Sequence, residues 1–326
     1  MTLAQSLRIR RRGGCTGRVA GRRRVQAFAL ALIPVLAVAL AAGRLSAAGP
    51  SGADYLLAEP AARTAGLADA DAAVGGELEA FRSNPAGLAS VQGLQVAVSH
   101  LSEADDWNHE WMALGMPIAG GVGAVEFLES DMTPFTLYDG SGQSYATATV
   151  SSQNLAFGWG MPVLADLDLG VDARGFRSQL YTYSNEGYAV DVGLRFEDRR
   201  LPVTLGMAIQ NLGAESAYIA VSDPLPTRYR AGAEGHFRVS EAVAVSLRTD
   251  IVEYQDPTRP QEIRFGAETA FYKDAFIRCG WVHTAENDGL CMGLGVKWEN
   301  LSLDYSYQPS NLLGDNELIE LTLAGK

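Results

Sequence analysis

Beyond its first 48 residues the sequence has no apolar run long enough to cross a membrane as a helix, and it holds only three cysteines and four histidines. Each shortage excludes something. A spanning helix needs about 18 uncharged apolar residues in a row, so none is available there, although spanning strands would leave only a weak alternating signal. His100, His109, His236 and His283 share no metal-ligand spacing. His109-Glu110 begins like a zinc-protease signature, but Ala113 stands where a second histidine is required. Gly121-Val122-Gly123 lacks the third glycine and following helix of a dinucleotide loop, and no Gly-x-Ser-x-Gly elbow occurs. The expectation is a protein without catalytic residues, metal or cofactor.

Acidic residues and lysine are missing from residues 1–48, which instead hold nine arginines, among them Arg10 to Arg12 and Arg22 to Arg24. The apolar run Val25 to Ala42 follows, and Ser46-Ala47-Ala48 offers a small-residue exit. A basic region, an apolar core and such an exit describe a secretory signal peptide, and Pro34 and the exit favour cleavage over an uncleaved anchor. Cys15 precedes the apolar core and does not read as a lipidation site. Removing residues 1–48 leaves 17 basic against 38 acidic residues, a net charge of −21. Such a chain will not bind nucleic acid by neutralising phosphates, nor bind anionic lipid surfaces from the side.

What is present is alternation. The chain is 47% hydrophobic and 20% charged, which excludes a mainly disordered polymer. Its 35 glycines are spread through apolar segments, as β structure with close backbone approaches requires. Residues 49–92 form an Ala/Gly/Asp-rich segment that reads as short helix or irregular structure. It closes on Asn84-Pro85-Ala86-Gly87-Leu88, where Pro85 stops the helix and Gly87 supplies a turning joint. From residue 93 the period becomes two. In Leu167 to Arg174, Tyr188 to Phe196, Ile263 to Phe271 and Leu301 to Tyr307 the charges share one face and the apolar side chains the other. About fourteen strands of eight to ten residues are predicted, with Asp131 to Ser152 as a long loop. No helical pattern separates them, so the fold is all-β and antiparallel.

A transmembrane barrel and a soluble sandwich or propeller both fit this pattern. Aromatics near strand ends (Tyr181, Tyr183, Phe196, Phe271, Tyr272, Trp298, Tyr305, Tyr307) favour the barrel, as do small residues beside charges on the polar face. In that barrel Asp168, Asp172, Arg174, Asp191, Arg195, Arg264, Glu268, Arg278 and Asp304 face the lumen. There they either pair with one another or line a solute path. Cys279 and Cys291 flank a turn near Ala285 to Asp288, which leaves a cross-strand disulfide or two free thiols open.

With the pattern placed, the chain resembles the PorV/PorQ family of bacterial outer-membrane proteins, relatives of FadL-type barrels, from about Leu57 to the C-terminus. Arg63-Thr64-Ala65-Gly66-Leu67-Ala68-Asp69-Ala70 leading to Asn84-Pro85-Ala86-Gly87-Leu88 carries the opening of the likeness. Asp191-Val192-Gly193-Leu194, Asn211-Leu212-Gly213, Leu225-Pro226, Arg278-Cys279-Gly280-Trp281 and Asp304-Tyr305 follow in order. The resemblance implies a fourteen-stranded barrel in the outer membrane with the N-terminal segment as a plug, hinged structurally at Arg63, Asn84, Pro85 and Gly87. It implies outer-membrane lipid as a partner and passage of small, hydrophobic molecules. An accessory role beside secretion-system proteins is the alternative implied by the resemblance, and a soluble periplasmic β protein is the alternative left by the strand pattern.

Overall fold

A computed structural model describes residues 50–103, 106–198, 201–285, 288–309 and 314–325. The arginine-rich leader and its cleavage expectation therefore lie outside the described residues. From residue 95 on the chain forms strands: β1 (Gln95–Glu103), β2 (Trp107–Ile118), β3 (Gly121–Tyr138), β4 (Ser144–Leu164), β5 (Leu167–Leu180), β6 (Tyr183–Glu197) and β7 (Val203–Glu215). They continue as β8 (Arg228–Arg238), β9 (Val243–Tyr254), β10 (Glu262–Phe271), β11 (Ala275–Thr284), β12 (Asp288–Trp298), β13 (Leu301–Gln308) and β14 (Asn316–Ala324). Each pairs antiparallel with its neighbours in sequence, and β14 returns to β1 in the register Val98↔Leu321, closing a fourteen-stranded barrel. Closure leaves no free sheet edge around the ring.

The alternation becomes two surfaces. Met112, Leu114, Phe157, Val171, Leu247, Leu294 and Leu321 point outward and are exposed, while Ala113, Ala156, Asp172, Arg248 and Glu320 point inward and are buried. An outward apolar belt around an enclosed polar interior is the arrangement a transmembrane barrel presents to lipid. The two rims differ. Turns at 119–120, 165–166 and 299–300 are short, whereas the opposite end carries segments 216–227 and 255–261.

Three expectations need correction. Asp131 to Ser152 is not a loop: β3 runs to Tyr138 and β4 starts at Ser144, so the two continue as a ribbon above the long-loop rim. Thr, Phe and Tyr at alternate positions sustain the strands, and Pro134 falls within a register shift between Met132 and Phe135, where a missing N–H costs no ladder bond. Strands span 8 to 21 residues, beyond the eight to ten expected. Gly87 is no turning joint either. It sits inside the 3₁₀ helix Pro85–Ser90, and a methyl there would meet the Val74 carbonyl and the Ala80 side chain, so it permits close packing.

No disulfide joins Cys279 to Cys291; both thiols are free. Cys279 stands opposite Met292 and Cys291 opposite Gly280. With a side-chain period of two, Cys279 faces outward and Cys291 inward.

Candidate functional site: a plugged lumen

Residues 50–94 occupy the barrel interior. Their entry is at the long-loop rim, where Asp256 accepts hydrogen bonds from Ser51 N at 2.7 Å and Ser51 Oγ at 2.9 Å. Gly52 N donates to the Pro224 carbonyl, and Asp54 pairs with Arg259. Burial opposes the charge of Asp256, but the hydrogen bonds it accepts from Ser51 and Thr258 together hold its carboxyl well below the usual range. The segment leaves at the other end, where Gly325 N bonds to the Leu94 carbonyl beside the start of β1. It is thus a plug that threads the barrel from rim to rim.

Short elements suffice because the segment borrows its stability from the wall. The helices Ala62–Ala65 and Ala80–Ser83 are single turns, too short to persist alone. The second ends at Asn84, whose backbone is extended and whose Oδ1 accepts from Ala86 N at 3.1 Å, capping the 3₁₀ helix that Pro85 begins. Asn84 Nδ2 also donates to the Ala72 carbonyl at 2.6 Å and to the Leu194 carbonyl at 3.0 Å. One amide therefore joins two parts of the plug to β6.

Inward glycines make room for this contact. A methyl at Gly170 would overlap Pro85 and Ala86, one at Gly193 would overlap Asn84, and one at Gly206 would overlap Ala72. Gly266 and Gly280 do the same for Leu67 and Ala68, and Gly293 for Gly66. The plug lies against bare backbone around most of the ring.

The lumen has two chemically distinct sectors. Toward β1–β4 the plug presents Leu78, Phe81, Leu88 and Val91, and the wall answers with Ala97, Trp111, Ala113, Val122, Leu128 and Ala156 in one buried cluster. Glu126 interrupts it and is neutralised by Arg82 at 2.6 Å while accepting from Trp111 Nε1 at 3.0 Å. At the long-loop rim a smaller cluster joins Leu56 to Phe176, Ala189 and Leu225, with Tyr55 edge-on to Phe176 at 5.9 Å.

The rest of the wall is ionic, and most of the residues expected at the lumen fall here. Arg174 is buried between Asp172 at 3.2 Å and Asp191 at 2.5 Å, a wall-to-wall set. Arg195 bonds to Asp168 at 3.1 Å and reaches the plug through the Ala73 carbonyl and Ser90 Oγ, both at 3.0 Å. Arg264 pairs with plug residue Asp69 at 3.2 Å. Glu268 receives Arg63 of the plug at 3.1 Å and Arg278 at 2.7 Å, and Arg278 continues to Asp304 at 2.5 Å. Arg63 also pairs with Glu77.

Sequence reasoning missed further members. Arg248 bonds to Asp71 at 2.5 Å, Asp250 accepts from Ala72 N at 2.9 Å, and Arg230 donates to Ser83 Oγ at 2.6 Å. Glu59 of the plug lies 2.8 Å from Arg228, 3.7 Å from Arg230 and 3.9 Å from Arg82. Burial opposes its charge, but these arginines hold its carboxyl below the usual range. Asp69 goes the other way: burial first and the Glu59 carboxylate second push it up to about 7, against the pull of Arg264 and Arg230. Arg228, Arg230, Arg248 and Asp250 lie on strands whose alternation would have placed them inside; their plug partners carried no signal.

His109 is buried between Ser130 at 2.7 Å and Glu103 at 2.7 Å, while His100 and His283 pair with carboxylates on exposed positions. Among the described residues no cluster of His, Cys, Asp and Glu has metal-site geometry. At the short-turn end a cavity of about 350 Å³ lies under the plug, lined by Arg63, Glu77, Arg195, Glu234, Arg248 and Glu268.

A closed fourteen-stranded barrel filled by its own N-terminal segment defines the class, a plugged antiparallel β-barrel. Solved structures share this fold. The toluene transporter TbuX of Ralstonia pickettii shares 12% identity at a TM-score of 0.55, over 80% of this chain and 98% of that one. The monoaromatic hydrocarbon channel CymD shares 12% at 0.59, over 81% and 97%. The toluene transporter TodX of Pseudomonas putida shares 8% at 0.56, over 77% and 94%. No family model and no curated protein matches the sequence.

Proposed function

We propose that this protein passes small hydrophobic molecules across the outer membrane and is not an enzyme. The observation that carries the reading is the apolar sector between the plug and β1–β4. Inward residues from Val122 to Leu128 cover about 20 Å of strand at roughly 3.3 Å per residue, facing Leu78, Phe81 and Leu88. A hydrophobic solute can displace Leu78, Phe81 and Leu88 there while the ion pair of that sector, Arg82 with Glu126, stays closed. The ionic sector cannot yield in that way, because a separated buried pair costs several kcal/mol. The plug is thus anchored on one side and yielding on the other. The likeness to hydrocarbon channels supports the same reading.

The test is entry of toluene into cells with and without the protein, beside a Leu88→Glu variant. Faster entry that the variant abolishes, with entry of a small sugar unchanged, supports the proposal. Equal toluene entry in all three strains would sink it. The motif series that resembles PorV/PorQ proteins keeps a secretion role as a second reading. The uncharged stretch Thr133 to Tyr138 of the β3–β4 ribbon, exposed above the rim with Phe135 and Tyr138, would be its contact surface. Cross-linking from Tyr138 in living cells, with recovery of an outer-membrane partner, decides for it.

A further inference from the structure

One polar side chain beside the apolar sector has no partner. Asn154 is an inward residue of β4, 2% exposed, between the outward Gln153 and Leu155. Its neighbours across the strands are Leu128 of β3 and Phe176 of β5. Leu128 belongs to the deep cluster with Trp111 and Ala156, and Phe176 to the rim cluster with Leu56. Asn154 therefore stands at the seam between the two apolar clusters. Neither its Nδ2 nor its Oδ1 is hydrogen-bonded. The other buried amides among the described residues, Asn84, Asn185, Gln210 and Asn211, each keep at least one bond. A buried amide without donor or acceptor is costly, and an apolar side chain of the same shape would remove that cost. The chain keeps the amide where solute passes in the reading above.

We infer that Asn154 selects the solute: the barrel takes uncharged aromatic rings bearing one hydroxyl, of the phenol type, in preference to plain hydrocarbons. This rests on the passage reading. Such a hydroxyl donates to Oδ1 or accepts from Nδ2 while the ring packs on Leu128 and Phe176. A hydrocarbon of equal size fills the same space and leaves the amide unpaired. A site that hydrogen-bonds its ligand rejects an analogue lacking the group for that reason. An ionised solute gains no cation here, because Arg82 is held by Glu126 and Arg174 by Asp172 and Asp191. Satisfying one buried amide group corresponds to a preference of about tenfold.

p-Cresol and p-xylene differ by a hydroxyl in place of a methyl, and their equilibrium binding to the purified protein tests this, with detergent micelles as the blank. The wild type should hold p-cresol about tenfold more tightly than p-xylene. Asn154→Leu should remove that preference by weakening p-cresol and not p-xylene, and p-toluate should bind neither protein. Leucine conserves the shape, so heat-modifiable migration of the variant should match the wild type. If that variant fails to fold, the wild-type comparison stands by itself. Equal affinity of the wild type for p-cresol and p-xylene, binding of neither, a preference that survives in Asn154→Leu, or tighter binding of p-toluate would each overturn the inference. Equal binding of p-cresol and p-xylene leaves the passage reading standing and removes only this one, whereas toluene entry that does not depend on the protein removes the passage reading itself.

Discussion

Replacing Asn84 by alanine should release the plug without touching the barrel. Its amide makes three hydrogen bonds, to the Ala72 carbonyl at 2.6 Å, the Leu194 carbonyl at 3.0 Å and from Ala86 N at 3.1 Å. Alanine removes all three. At about 1 kcal/mol net for each bond, docking weakens by roughly 3 kcal/mol. One tenfold change corresponds to about 1.4 kcal/mol, so the undocked population rises about a hundredfold.

The chain carries its own reporter. Cys291 is inward and buried against the plug backbone at Ala68, on the far side of the lumen from Asn84. In a Cys279→Ser background, a water-soluble maleimide reaches Cys291 only when the plug withdraws. The labelling rate should therefore rise about a hundredfold in Asn84→Ala while heat-modifiable migration of the barrel stays the same. A rate within about threefold of the parent would mean that Asn84 does not hold the plug. Loss of heat modifiability would mean that plug and wall form one cooperative unit, which the anchored-and-yielding picture denies.

Gly193→Val places a side chain where Asn84 sits and should open a steady conductance in planar bilayers, whereas Gly175→Val, at an outward position with nothing within 4 Å, should leave current at the wild-type level. Asp69 makes docking pH-dependent. Its carboxyl is raised to about 7 in the docked plug among Glu59, Asp71, Arg264 and Arg230, so the docked form holds the extra proton. Its stabilising contribution is full below the ordinary aspartate range and fades as pH rises through about 7. Cys291 labelling should accelerate over that interval, and Asp69→Asn should flatten the rise; a profile unchanged by the substitution would refute the assignment. Under mild oxidation Cys279 and Cys291 should both remain reactive in the denatured chain, because they face opposite sides of the wall; an internal cross-link would contradict that geometry.

The wall was readable because a two-residue period writes each face directly into the sequence. Asp172 and Arg174, or Arg264 and Glu268, sit two or four apart with apolar residues between them, and that spacing alone puts each pair on one side. Turn chemistry was a poorer guide: Asp139-Gly140-Ser141-Gly142 marks a tight hairpin tip, yet composition around it read as a long loop. The partners of the inward charges were not readable at all. Arg264 meets Asp69 across 195 positions and Arg248 meets Asp71 across 177, separations over which no local pattern operates.

The plug itself lay between these extremes, and the reason is physical. Its helices are single turns, and the wall supplies backbone partners on either side of them, Gln210 to Arg82 O and Arg195, Arg230 and Asp250 to the irregular stretch 69–73, so its own residues need no strong helix signal. The signal is carried instead by its host. Gly170, Gly193, Gly206, Gly266, Gly280 and Gly293 each stand at an inward strand position where a side chain would block the plug. A water-filled lumen would gain nothing from bare backbone there, and glycine weakens a strand interior. Six such positions on β5, β6, β7, β10, β11 and β12 are therefore the trace that a plug leaves in the sequence of its barrel. The Gly193→Val and Gly175→Val comparison tests that point directly, because the two glycines differ in the face they occupy and not in the strand chemistry around them.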